Sequence, residues 1–361
     1  MNLGVDVAIV GAGIVGAACA DALTEAGATV AVIEPRIIGG GATAAGMGHL
    51  VVMDDSAAQF ALTNYSRNLW TALVPEMPAD VEFQRSGTLW AAADEEEMAA
   101  VLSKYDFYRQ RGVRAEVLDQ RAIAEAEPNL RAGLAGGLLV PDDAVIYSPR
   151  AAAWLLQRAQ LRGAKVYRDF AVETLDENMA GAIVCAAGAW ALQWFPDLDI
   201  KPRKGHLAIT DRYPNFVNHQ IIELGYLKSA HGSTGDSVAF NAQPRATGQI
   251  LLGSSRQFDR TNSEIDPPML DRMLRRAVEY MPKLANLNII RTWTGFRAAT
   301  SDHLPLIGPH PSHPHVYLAT GHEGLGITTS MGTAQLLTDA ILGRPSVIDP
   351  KPFLPSRGPK H

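Results

Sequence analysis

Val7-Ala8-Ile9-Val10-Gly11-Ala12-Gly13-Ile14-Val15-Gly16 is followed, after one helix length, by Thr29-Val30-Ala31-Val32-Ile33-Glu34. An apolar run enters glycines spaced G-x-G-x-x-G, and a second apolar run ends on a carboxylate. This order predicts strand, tight turn, helix and strand. Gly11 allows the turn, Gly13 lets the backbone approach a pyrophosphate, and Gly16 lets the helix lie close to the strand. The helix N-terminus offers unpaired N–H groups and positive dipole charge to that pyrophosphate. Glu34 is placed to accept from ribose hydroxyls and disfavours a 2′-phosphate. The unit therefore predicts an adenine dinucleotide site, NAD or FAD, rather than a plain βα turn.

At 361 residues the chain is long enough for two lobes with substantial cores. A content of 47% hydrophobic and 19% charged residues is that of a soluble globular protein. The net charge of −6 leaves no basic footprint for nucleic acid. Val7 to Ala20 is too short and too glycine-rich to span a bilayer, and Asp6 and Asp21 interrupt any signal-peptide pattern. Only Cys19 and Cys185 are present, which argues against a disulfide framework or a thiolate metal site and for the reducing cytoplasm.

Ile38-Gly39-Gly40-Gly41-Ala42-Thr43-Ala44-Ala45-Gly46-Met47-Gly48-His49 packs many small residues together, as a chain does where something large passes its backbone. Helices are expected over Ser56 to Leu73, Glu95 to Arg111, Arg150 to Leu161 and Pro267 to Tyr280. Lys165 to Arg168 and Gly181 to Cys185 read as strands of the first sheet, and the alternating runs between Gly205 and Ile250 read as a second. His310-Pro311-Ser312-His313-Pro314-His315 reads as a proline-rich surface turn, with no metal site, and the tail from Lys351 reads as disordered. Two discontinuous lobes result.

A second strand–glycine–helix junction lies at Val316-Tyr317-Leu318-Ala319-Thr320-Gly321-His322-Glu323-Gly324-Leu325-Gly326-Ile327, followed by a helix to about Leu342. A flavin has use for a second positive helix end, because its reduced ring is anionic. Together with Ala42 to Met47, Ala186-Ala187-Gly188-Ala189-Trp190 and Gly295-Phe296-Arg297, these motifs resemble the D-amino acid oxidase superfamily of FAD enzymes, in its glycine and sarcosine oxidase branch. Within it, Gly46 to Leu50, Arg203 to His206 and Gly321 to Gly326 look most like flavin subunits of multi-subunit dehydrogenases such as D-hydroxyproline dehydrogenase, opine oxidase and hydrogen cyanide synthase.

The resemblance implies an α/β, two-lobed fold: a Rossmann-like FAD-binding domain over residues 1–75, 141–204 and 291–361, and a discontinuous β-sheet substrate domain over 76–140 and 205–290. It implies that Gly11, Gly13, Ile14, Val15 and Gly16 face the pyrophosphate, with Glu34, Pro35 and Arg36 at the adenosine ribose. Thr43, Ala44, Ala45, Gly46, Met47 and Gly48 would line the path to the flavin. Val172 would meet the adenine, and Ala187, Gly188 and Trp190 the ribityl chain. Gly321, His322, Glu323, Gly324, Leu325, Gly326 and Ile327 would hold the pyrimidine side of the ring. Arg297 matches the substrate-carboxylate arginine, and a permanently charged fork suits a carboxylate.

Three departures are visible. The connector between Val172 and Ile183 is short, Asn241 stands where glycine oxidase has a tyrosine, and Gly324 stands where it has an arginine. Arg297, His49 and Asn241 are the candidate catalytic residues; His206 and His322 fall near the flavin in the same reading. The implied reaction is dehydrogenation of a D-amino or cyclic imino acid, D-hydroxyproline by preference, by hydride transfer to flavin N5, with a partner subunit or acceptor protein taking the electrons. The alternative is a self-sufficient oxidase that forms hydrogen peroxide.

Overall fold

The computed structural model describes residues 2–225, 235–258 and 260–357, and they fall into two compact units. Unit 1 comprises 1–81, 146–202 and 296–361; unit 2 comprises 82–145 and 203–295.

Unit 1 is built on a six-stranded sheet in the order Leu306–His310, His313–Thr320, Ala182–Cys185, Val7–Val10, Val30–Glu34, Lys165–Arg168. Val7–Val10 lies at its centre, parallel to Val30–Glu34 on one side and Ala182–Cys185 on the other. Leu306–His310 is antiparallel to its neighbour at the edge. The central strand is buried along its length, so it reads as an unbroken apolar run instead of an alternation. The helix Ile14–Glu25 packs against the helices Ser148–Leu161 and Gly326–Leu342. Asp21, the charge that breaks the apolar start, is 2% exposed and paired with Arg158 at 3.1 Å and Arg162 at 2.6 Å. A buried carboxylate is tolerated there because the neighbouring helix supplies both cations.

Two expectations are corrected in this unit. The stretch His310 to His315 is the tight end of a hairpin, with His310 paired to His313 across Pro311-Ser312, and the strand begins at His313 rather than Val316. The rings of His310 and His313 pack on Phe195, which gives that turn an apolar anchor invisible in the local composition. The tail is ordered through Arg357. Phe353 is 1% exposed, and the Arg357 guanidinium holds the Asp302 carboxylate at 2.8 Å. Burial alone would raise the Asp302 carboxyl, but Arg357 and the Leu304 N–H keep it below its ordinary range.

Unit 2 carries an eight-stranded sheet in the order Ile289–Ala299, Lys201–Arg212, Gln249–Arg256, Ser237–Pro244, Gln220–Glu223, Thr88–Ala92, Gly136–Val140, Glu116–Asp119. The last residues of Ile289–Ala299, from Phe296, belong to unit 1. The helix Pro267–Tyr280 covers an apolar cluster that includes Phe240, Ala242, Ile250 and Leu252, and Tyr280 stacks on Phe240 at 4.9 Å. Among the described residues no helix is long and apolar enough to cross a membrane.

Candidate FAD and substrate-carboxylate site

The fingerprint turn of unit 1 is shaped by contacts that only glycine permits. Gly11 has φ +106°, and a Cβ there would stand 2.7 Å from the Ala186 carbonyl oxygen; a Cβ at Gly16 would overlap the Gly11 carbonyl. The helix Ile14–Glu25 starts at Gly13 with no side-chain cap and no acid in its first turn, so its positive end is left for an anion. Ile14 N–H donates to Thr43 Oγ1 at 2.9 Å, which ties the small-residue segment to this helix start. Thr43 O in turn accepts from Ser148 Oγ.

Glu34 is held by backbone. Ala12 N–H donates to its Oε2 at 2.8 Å and Arg36 N–H to its Oε1 at 2.9 Å. Each oxygen keeps further accepting capacity for a ribose hydroxyl. Pro35 is exposed in the turn that follows. The Arg36 guanidinium lies 5.5 Å over the Trp190 ring, and Phe296 meets that ring edge-on at 6.5 Å. Trp190 is 51% exposed.

The second junction converges on the first. The helix Gly326–Leu342 again starts without a side-chain cap and without an acid. Its Thr328 hydroxyl donates to His49 O at 2.8 Å, and a Cβ at Gly46 would lie 2.7 Å from Ile327 Cδ1. Trp70 Nε1 donates to Ile327 O at 3.2 Å, and Thr320 Oγ1 to Gly188 O at 2.9 Å. Gly11 to Gly16, Thr43 to His49, Ala186 to Gly188 and Gly321 to Thr328 therefore form one neighbourhood. Trp70 and Thr328 were not singled out from sequence: a Trp near the end of an amphipathic helix reads as core, and nothing local marks Thr328.

Several side chains of the second junction point elsewhere. His322 is buried and its Nε2 bonds Thr333 Oγ1 at 2.9 Å; burial pushes its pKa down to about 3. Its ring is a neutral structural group, and only its backbone is left for a cofactor. Glu323 has φ 48°, donates its N–H to Ala298 O and sets its carboxylate 3.0 Å from His303 Nδ1. Gly324 is exposed, and a Cβ there would be 3.8 Å from Arg297 Nε. Arg297 thus sits on the strand Ile289–Ala299 alongside the loop that opens the C-terminal helix. Val172 lies beyond Lys165–Arg168, packed against the apolar cluster of Ala8, Ile33 and Ile183.

In unit 2, Asn241 is 6% exposed on Ser237–Pro244. His206 is a structural histidine there. Its Nε2 accepts from the Asp266 N–H at 3.0 Å, so the proton sits on Nδ1, which faces Ser255 Oγ at 2.9 Å. Among the described residues no group of three or more His, Cys, Asp or Glu is placed to hold a metal.

The unit 1 residues fit FAD. They provide two helix N-termini with no acidic residue in the first turn for anionic groups, a fixed carboxylate at the end of the second strand for a ribose, and a wall of small residues between them.

A family model described as DAO, FAD dependent oxidoreductase, matches residues 6–340. The chain is 27% identical to a glycine oxidase of Geobacillus kaustophilus, with 96% of each chain covered. It is 26% identical to the hydrogen cyanide synthase subunit HcnC of Pseudomonas protegens, covering 98% of this chain and 96% of that one. The crystal structure of a glycine oxidase from Geobacillus kaustophilus superposes with a TM-score of 0.88 at 26% identity, over 98% of this chain and 99% of the other. Both glycine-rich junctions lie inside the matched span, and with the fold they place this chain in the DAO family of FAD-dependent oxidoreductases.

Proposed function

We propose that the protein oxidises the C–N bond of a small D-amino or cyclic imino acid, D-hydroxyproline above others, as the flavin subunit of a complex that passes electrons to a partner protein. Unit 1 would hold FAD and unit 2 would read the substrate. The observation that carries this reading is Arg297 beside Gly324 at the mouth of the second junction. A guanidinium pairs both oxygens of a carboxylate, and fixing the carboxylate fixes the α-carbon. When bound, the flavin supplies the hydride acceptor. With glycine at 324 the loop adds no second guanidinium beside Arg297, which suits a substrate of different shape from glycine oxidase's. No protein base is required if the amine binds unprotonated. His49 and Asn241 are proposed as further substrate-facing residues.

The relative named as a hydrogen cyanide synthase subunit supports a partner subunit. The glycine oxidase relatives support a second reading, a self-sufficient oxidase that reduces oxygen to hydrogen peroxide. Cys19 and Cys185, both buried thiols pushed up to about 12, suit the cytoplasm. Anaerobic flavin bleaching by a panel of amino and imino acids tests the substrate. D-Hydroxyproline is expected to bleach fastest, and bleaching by none of D-hydroxyproline, D-proline or opines overturns the reading. Admitting oxygen separates the acceptors: peroxide formed at the rate of flavin reduction favours the oxidase.

A further inference from the structure

Within unit 1 a side-chain contact crosses the carboxyl end of the central strand. Val10, the last residue of that strand, pairs with Ile33 on one side and with Cys185 on the other. Neighbouring strands lie about 4.8 Å apart, so the chains leaving Ile33 and Cys185 stand about 10 Å from each other, with the turn that starts at Gly11 between them. Arg36 follows Ile33 by three residues and Trp190 follows Cys185 by five. Their side chains nevertheless meet, the guanidinium 5.5 Å over the indole. The contact thus spans the place where an open α/β sheet takes its dinucleotide, outside the carboxyl ends of the strands at the fingerprint turn.

Both side chains are accessible there: Arg36 is exposed and Trp190 is 51% exposed. Among the described residues the Arg36 guanidinium has no ion pair or hydrogen bond, and the indole is its partner. Gly11 to Gly16, Ile38 to Gly48 and Ala186 to Gly188 contain no Lys or Arg. A helix N-terminus offers only about half a positive charge to a pyrophosphate that is negative at each phosphate. A guanidinium on a half-exposed ring gains less than one that donates to a phosphate oxygen. We propose that Arg36 closes the cofactor crevice over the pyrophosphate of FAD, and that Trp190 is the positioning residue that holds the guanidinium there. Stacking restricts a long, mobile side chain before the anion arrives, so less freedom is lost on binding. Phe296, edge-on at 6.5 Å, restrains the indole in turn. The inference concerns how FAD is retained and is independent of the substrate proposed above.

The test is the rate at which diluted holoenzyme releases FAD, followed by the recovery of flavin fluorescence, in wild type, Arg36→Met, Trp190→Leu and the double variant. Arg36→Met keeps the apolar stem and should speed release about tenfold or more, the loss of a charge-assisted hydrogen bond. Trp190→Leu should speed it about fivefold in the wild-type background. Added to Arg36→Met it should change nothing further, because the indole acts through the guanidinium. If Trp190→Leu purifies without flavin, Trp190→Phe replaces it in the cycle. Release that is unchanged in Arg36→Met overturns the inference. An equal effect of the Trp190 change in both backgrounds also overturns it, since the indole would then hold FAD by itself. Neither result touches the substrate reading, and a failure of every amino and imino acid to bleach the flavin leaves this inference standing.

Discussion

A methyl group at Gly16 would collide with the Gly11 carbonyl, so Gly16→Ala must push the helix start off the central strand. The variant is expected to lose about 1–3 kcal/mol of stability and to purify largely without flavin, read from the ratio of visible to ultraviolet absorbance. Arg297 acts through a substrate rather than through packing. Arg297→Leu should retain FAD and raise the Kd for the amino acid about a hundredfold, and Arg297→Lys should recover only part of it, because an ammonium lacks the planar fork. His322 gives a stability prediction with a definite sign. Its folded pKa is about 3 against an ordinary 6.5, so between those values the unfolded chain binds the proton and the folded protein does not. Stability from this residue is full above pH 6.5 and falls as the pH drops toward 3. His322→Gln should flatten the decline in Tm over that window; an unchanged slope would mean that the ring titrates normally in the fold. None of this was legible at the residue itself. His322 stands in a glycine-rich loop that reads as flavin-facing, and only the packing of the following helix turns its ring toward Thr333.

At the scale of elements, the parallel sheet of unit 1 depends on its helices lying close and staying paired. Asp21 on the fingerprint helix holds Arg158 of the helix Ser148–Leu161 and Arg162 just past its end while almost fully buried. Asp21→Ala removes the buried partner that Arg158 and Arg162 share, leaving them Glu76 and Glu25, and should cost about 3 kcal/mol in chemical denaturation. Adding Arg158→Met to it should return part of that loss, since it removes one of the cations that lost Asp21. The elements themselves were the most readable part of the sequence. The helix Pro267–Tyr280 and the strand Lys165–Arg168 stand where the sequence puts them, and the helix shows why, burying Met269, Met273, Ala277 and Tyr280 at helical spacing. The hairpin at His310 and His313 and the tail to Arg357 were not readable. Their order comes from Phe195 and Asp302, distant in sequence, and a short polar or proline-rich stretch looks the same whether or not such an anchor exists.

For the whole molecule, FAD held as proposed would join segments that span most of the chain, from Gly11 to Ile327. Removing it should lower Tm, and adding it back at about 100 times its Kd should restore about 2.7 kcal/mol, with Tm rising further as FAD is raised. A Tm independent of FAD would contradict a cofactor that knits these segments together. The sequence by itself determined the dinucleotide fingerprint, the strand–helix alternation around it and a second glycine-rich junction. Each is a local pattern, because a tight turn, a helix start and a buried strand are dictated by neighbours in the chain. Tertiary structure alone decided which of those residues meet: that Thr43 caps the turn at Ile14, that Thr328 holds the His49 carbonyl, that His206 and His322 serve packing, and that Arg36 reaches Trp190 across the central strand. Strand order and register bring together residues from separate strands, and neither is written in the composition of any one of them.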